Sequence, residues 1–272
     1  MRQVSTVIAI AGLTLSVYVG TMLVGFGTKD LSSFQDTIDR HPGMAWKPPS
    51  SDSIPNNARG NSIRRGALIF NETPLYAAPY TGARLSCANC HAAGGMQPFA
   101  IPLVGAPSRF PMYNDRAGRI INLKDRIQEC FVRSENGRPL EYNGPTMLDL
   151  IDYINWLSIP QPEHQPFTGR GLVELPDLTP DPTHGHEIYT TQCAGCHGDR
   201  GQGQAPLFPP LWGPDAFNDG AGTNGVRKMA AFIQHNMPQN RMGILSPQDA
   251  FDVSSFIHQQ PRPSFNQEYK KF

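Results

Sequence analysis

Four cysteines and two histidines carry the clearest chemistry in the chain, as Cys87-Ala88-Asn89-Cys90-His91 and Cys193-Ala194-Gly195-Cys196-His197. In Cys-x-x-Cys-His the paired thiols can add to the vinyl groups of a haem, and the adjoining histidine supplies a proximal iron ligand. A lone Cys-x-x-Cys also suits half a zinc site or a redox dithiol. Two copies, each followed by His and with no further cysteine pair to complete a zinc tetrahedron, favour covalent haem attachment. Cys87, Cys90, Cys193 and Cys196 are therefore expected to hold two haem c groups, with His91 and His197 on the irons.

An electron-transfer haem takes a second axial ligand, usually Met in cytochromes c. In the second half Met237 stands in Asn236-Met237-Pro238, forty residues after His197. Lys228, Met229, His235 and Met242 compete with it. Lys228 and Met229 fall inside an apparent helix over Val226 to Gln234, whereas Met237 follows that helix and precedes a proline, a loop position able to reach an iron. In the first half the matching place is taken by Cys130, thirty-nine residues after His91. Met112 comes too early and Met147 starts the next helix. An odd cysteine in an exported protein also suits a buried thiol or an intermolecular disulfide; the matched spacing favours axial ligation. A thiolate pushes electron density onto iron and Met raises the potential, so the pair suggests a catalytic haem feeding an exit haem.

These residues need a repeated frame. Gly66 precedes Leu68 and Phe70 upstream of the first motif, and Gly185 precedes Ile188 and Tyr189 upstream of the second. A small residue allows close helix crossing, and an aromatic fills space beside the cofactor. Downstream of each motif, Pro145 to Leu157 and Pro247 to Gln259 place apolar residues at near-helical spacing. Six prolines between Leu157 and Gly185 read as an extended, semi-rigid linker. The expected organisation is residues 1–28 signal peptide or membrane anchor, 29–57 extension, 58–158 first haem domain, 159–183 linker, 184–262 second haem domain and 263–272 tail. Asn71 to Ser86 has no counterpart in the second half and reads as an inserted loop.

Arg2 is followed by an uncharged, largely apolar run from Gln3 to Thr28. Cleaved signal and uncleaved anchor both fit it; either places the folded part in the periplasm, tethered to the inner membrane in the second case. The 272 residues carry 23 basic and 23 acidic side chains, so charge offers no argument for nucleic acid. With 26 Pro and 26 Gly, a loop-rich fold built around bulky cofactors is expected.

Around Cys130 the chain reads Arg126-Ile127-Gln128-Glu129-Cys130-Phe131-Val132-Arg133-Ser134-Glu135-Asn136-Gly137. With both Cys-x-x-Cys-His motifs and the Asn236-Met237-Pro238 loop, this resembles the thiosulfate dehydrogenase family of dihaem cytochromes. The resemblance covers most of the chain beyond its first segment. It implies an all-α fold of two class I cytochrome c domains joined by the Pro-rich linker. It also implies oxidation of two thiosulfates to tetrathionate, with some members favouring the reverse, and onward transfer to a periplasmic acceptor such as a small cytochrome c or high-potential iron protein. Carried over by position, Cys130 becomes distal ligand and catalytic sulfur, Arg116 and Arg126 substrate contacts, and Ser134 and Asn136 pocket members. Some members offer a Lys before the second haem's Met; here that place is Asn236.

The residues agree with that chemistry. Joining two dianions into one releases two electrons and no proton, so the site needs positive charge and a reactive sulfur rather than a base. Arg116, Arg119, Arg126 and Arg133 cluster around Cys130, and guanidinium forks suit oxyanions. Asp125, Glu129 and Glu135 could instead pair with some of them, leaving ordinary helix charges. The rival functions are a dihaem electron carrier, which predicts a Met on each iron, a cytochrome subunit of an oxidase, and a redox or gas sensor using Cys130 as a displaceable ligand.

Overall fold

The computed structural model describes residues 49–159 and 167–272. The run proposed as signal or anchor, most of the extension and residues 160–166 of the linker lie outside them. No helix among the described residues is long and apolar enough to cross a membrane.

Each half is framed by one early and one late helix. In the first, α1 (Ala58–Asn71) starts where Asn57 accepts a hydrogen bond from the Gly60 backbone. Helix α2 (Leu123–Arg133) starts on a capping box made by Asn122 and Asp125, and α3 (Pro145–Ser158) has Pro145 at its first position. Such caps satisfy amide groups that have no partner inside the helix. In the second half α4 (Pro182–Ile188) is capped by Asp181, and it takes in Pro182 and Thr183 from the stretch assigned to the linker. Helices α5 (Val226–Asn236) and α6 (Pro247–His258) follow, the latter capped reciprocally by Ser246 and Asp249.

The early and late helices cross where the sequence places glycine. A Cβ on Gly66 would lie 2.1 Å from the Asp149 carbonyl of α3, and one on Gly185 would lie 2.0 Å from the Asp252 carbonyl of α6. The same glycine-on-aspartate crossing therefore occurs twice. Below it lie two apolar clusters, one around Phe70, Phe131, Leu150 and Tyr153, the other around Tyr189, Trp212, Phe251 and Ile257. The all-α expectation holds with one addition, an antiparallel hairpin of β1 (Met112–Asn114) and β2 (Arg119–Ile121).

The segment Asn71 to Ser86 is no loose loop. It forms a turn of helix at Thr73–Tyr76 and then reaches the other half, where Ala83 and Leu85 pack in the second cluster and the Arg84 amide donates to the Asp215 carbonyl at 2.8 Å. The 263–272 stretch also bridges the halves. The Arg133 guanidinium lies 4.0 Å over the Phe265 ring and donates to the Phe272 carbonyl at 3.0 Å.

Candidate catalytic haem site

Cys87–Cys90 forms a single helical turn, opened by Ser86 and Asn89 in a capping box. His91 follows it, and its Nδ1 lies 2.6 Å from the Ile101 carbonyl. That contact fixes the ring and leaves Nε2 for a metal. Burial holds the His91 pKa down at about 4, so the ring is neutral, the form that can ligate. Burial also pushes the Cys90 thiol up to about 12.

These three residues line a solvent-open cavity together with Phe70, Leu103, Ile127, Phe131, Leu150 and Ile154. An apolar cleft with two thiols and a buried neutral imidazole fits haem c. Helix α2 supplies its reactive wall. Arg126 and Cys130 stand one turn apart on that helix and both line the cavity, as does Ser134 beyond its end. Burial pushes the Cys130 thiol up, while Arg126 and, less strongly, Arg116 favour its ionised form. Arg126 is anchored by Glu129, whose carboxylate accepts from its Nη1 at 2.7 Å. Asn114 of the hairpin donates to both Glu129 oxygens, at 3.2 and 3.1 Å.

The other arginines divide by position. Arg116 lies outside the lining residues, exposed, with Nη1 donating to the Gly220 carbonyl at 3.1 Å. Arg119 pairs with Asp125 at 3.2 Å, and Arg133 is committed to Phe265 and Phe272. Asn136 also lies outside the lining. It sits in a left-handed turn (φ 46°), where its Oδ1 accepts from Asn218 at 3.1 Å. Asn136 thus joins the halves through that hydrogen bond, while its turn is closed locally by the Gly137 amide donating to the Phe131 carbonyl at 2.9 Å.

Spacing could not reveal three wall residues. Glu135 is 2% exposed, burial lifts its carboxyl to about 8, and its Oε2 has no hydrogen-bond partner. Phe217 and Thr223 line the same cavity from the second half. The nearby Gly222 lies against Arg126, since a Cβ there would stand 3.8 Å from Nη2.

The second attachment turn, Ala194–His197, follows Tyr189–Cys193. Burial lowers the His197 pKa, and Nδ1 lies 2.9 Å from the Pro209 carbonyl, repeating the His91 arrangement. Met237 lies just past α5 and packs, with Cys193, on the second apolar cluster. Met229 is buried inside α5, and the Met242 sulfur lies 3.7 Å from Gln97 Nε2. This set also fits haem c.

Two cytochrome c units, each with a complete attachment turn and a backbone-held histidine, define a dihaem c-type cytochrome with two covalently bound haem c groups. Residues 73–162 match the SoxA/TsdA cytochrome c domain model, and residues 180–257 match that of cytochrome c oxidase, cbb3-type, subunit III. Thiosulfate dehydrogenase from Allochromatium vinosum is 39% identical over 236 residues, covering 83% of this chain and 87% of that protein. The protein of that name from Stutzerimonas stutzeri is 38% identical, covering 80% and 73%. The solved thiosulfate dehydrogenase (TsdBA) from Marichromatium purpuratum, as isolated, superposes with a TM-score of 0.77 at 34% identity, over 83% of this chain and 51% of that one. The chain belongs to the thiosulfate dehydrogenase family of oxidoreductases.

Proposed function

We propose that this protein joins two thiosulfates into tetrathionate in the Cys130 cavity and delivers the two electrons, through its second half, to an external periplasmic acceptor such as a small cytochrome c or high-potential iron protein. The same chemistry runs backwards when the acceptor is a strong enough reductant. The observation that carries the reading is that Cys130, Arg126 and Ser134 share one cavity with Cys87, Cys90 and His91.

In this reading His91 and Cys130 would hold the iron of the first haem, and His197 and Met237 that of the second. The bound haems supply one-electron acceptance, the Cys130-ligated one at low potential and the Met237-ligated one higher. The cavity's own residues do the rest. Arg126 presents its guanidinium beside Cys130, held in place by Glu129, and offsets the repulsion between two dianions. Arg116 draws the anions in from the surface, and Ser134 offers a hydroxyl to a sulfonate oxygen. Cys130 provides the sulfur that engages the terminal sulfur of the substrate. The sulfur–sulfur bond forms as two electrons leave, and no proton moves, which fits a cavity whose only carboxyl among the described lining residues, Glu135, is held largely neutral by burial. The apolar run Gln3 to Thr28 supports a periplasmic location.

An electron-carrier role requires no thiosulfate chemistry. Thiosulfate-dependent reduction of an acceptor dye, run beside tetrathionate-dependent oxidation of a reduced dye, separates the two. Turnover in either direction is expected; absence of both, in protein carrying two haems, overturns the proposal.

A further inference from the structure

Asn236, the last residue of α5, is 1% exposed, yet its side-chain amide is fully used. Its Nδ2 donates to the Phe232 carbonyl of its own helix at 2.9 Å and, across the two halves, to the Phe99 carbonyl at 3.0 Å. Its Oδ1 accepts from Gln97 Nε2 at 2.6 Å, and Gln97 is itself 6% exposed. A buried amide that spends both ends on the opposite half does more than finish a helix.

The receiving loop is unusual. Phe99 and Ile101 have φ of 57° and 52°, a region costly for any side chain and most of all for a β-branched one. They are pinned by the middle of the linker, the Phe99 amide donating to the Gly169 carbonyl at 2.6 Å and the Ile101 amide to the Gly171 carbonyl at 2.9 Å. Ile101 is also the residue whose carbonyl holds His91. A strained, over-determined loop is a rigid anchor, and one residue beyond Asn236 stands Met237.

The geometry points to Asn236 as a positioning residue: through Gln97 and Phe99 it clamps the start of the Met237 loop to the rigid loop that orients His91, keeping the methionine sulfur on the second iron. The inference rests on Met237 being that iron's ligand. Gln97 contributes twice, because it also approaches the sulfur of Met242, a competing ligand on the same loop.

Displacement of an axial methionine by an external ligand requires the methionine to leave first, so apparent affinity rises in proportion to the methionine-off fraction. Oxidised protein carrying both haems is titrated with imidazole while the methionine-to-iron charge-transfer band is followed. Loss of one to two net hydrogen bonds should raise the methionine-off fraction about tenfold, so the midpoint for Asn236→Leu should fall about tenfold. The midpoint for Gln97→Leu should fall several-fold, and this variant carries the test if Asn236→Leu yields no protein with both haems. Restoring amide chemistry with a longer arm, Asn236→Gln, should recover part of the shift. A residue that only stabilises the fold would lower the unfolding midpoint and leave the imidazole midpoint where it was. That outcome, in whichever variants carry both haems, overturns the inference. Met237→Leu is the control: it should abolish the band, and a band that survives shows instead that the ligand was wrongly assigned.

Discussion

In the proposed reaction Cys130 is the residue on which the chemistry turns, and what surrounds it gives the reason. It shares a helical face with Arg126, and the first charge to raise the Arg126 pKa is that of Cys130 itself. Cys130→Ala should keep both haems, lose the low-spin thiolate signal in electron paramagnetic resonance and lose turnover; a wild-type spectrum of purely His/Met character would refute the ligand assignment. Charge-assisted hydrogen bonds contribute roughly 1.5–3 kcal/mol, so Arg126→Ala should lower kcat/KM about 10- to 150-fold. Arg126→Lys keeps the charge without the fork and should fall between the two. Full activity of Arg126→Ala at low thiosulfate would make Arg126 an ordinary partner of Glu129. That Cys130 and Arg126 share one wall of the cavity is legible in the sequence, because a helical turn leaves a fixed interval. Glu135, Phe217 and Thr223 leave none, and the opposite commitments of Arg116 and Arg133 depend on distant carbonyls and rings that no local pattern encodes.

Among the elements, the crossings of α1 on α3 and of α4 on α6 frame the two halves. Both rest on a glycine pressed against an aspartate carbonyl, which is backbone and cannot yield as a side chain would. Gly66→Ala and Gly185→Ala should each destabilise the holoprotein by about 1–3 kcal/mol or more, as overpacking does. The urea midpoint should fall without a change in slope, and an unchanged midpoint would mean the helices can slide apart freely. These crossings, the helix pair framing each half and the position of Met237 beyond α5 follow from periodicity, caps and prolines in the sequence. The hairpin does not, because six residues in two short strands carry too little alternation to stand out. Nor does the course of Asn71 to Ser86: its lack of a counterpart is visible, but the packing of Ala83 and Leu85 on the other half is a long-range contact.

At the scale of the molecule the two halves are one working unit. The 263–272 stretch, the Asn218–Asn136 hydrogen bond, the Asn236 clamp and the Phe217–Thr223 wall all cross between them, and the first cavity is incomplete without the second half. Phe265 is central to this joint: its ring lies under Arg133, and its amide donates to Asp219 at 2.7 Å, next to the Gly220 carbonyl that holds Arg116. Phe265→Ala should cost about 3–5 kcal/mol of stability, and it should also raise KM for thiosulfate more than it lowers kcat. If KM is unmoved in the folded variant, the joint supports the fold without supporting the site. The proposed reaction is tested most directly by mixing oxidised holoprotein with thiosulfate in the absence of any other acceptor. Wild type should be reduced, forming one tetrathionate for every two electrons taken up, while Cys130→Ala with both haems attached should stay oxidised. Reduction of Cys130→Ala at the wild-type rate, or a wild-type protein inert to both thiosulfate and tetrathionate, would contradict it.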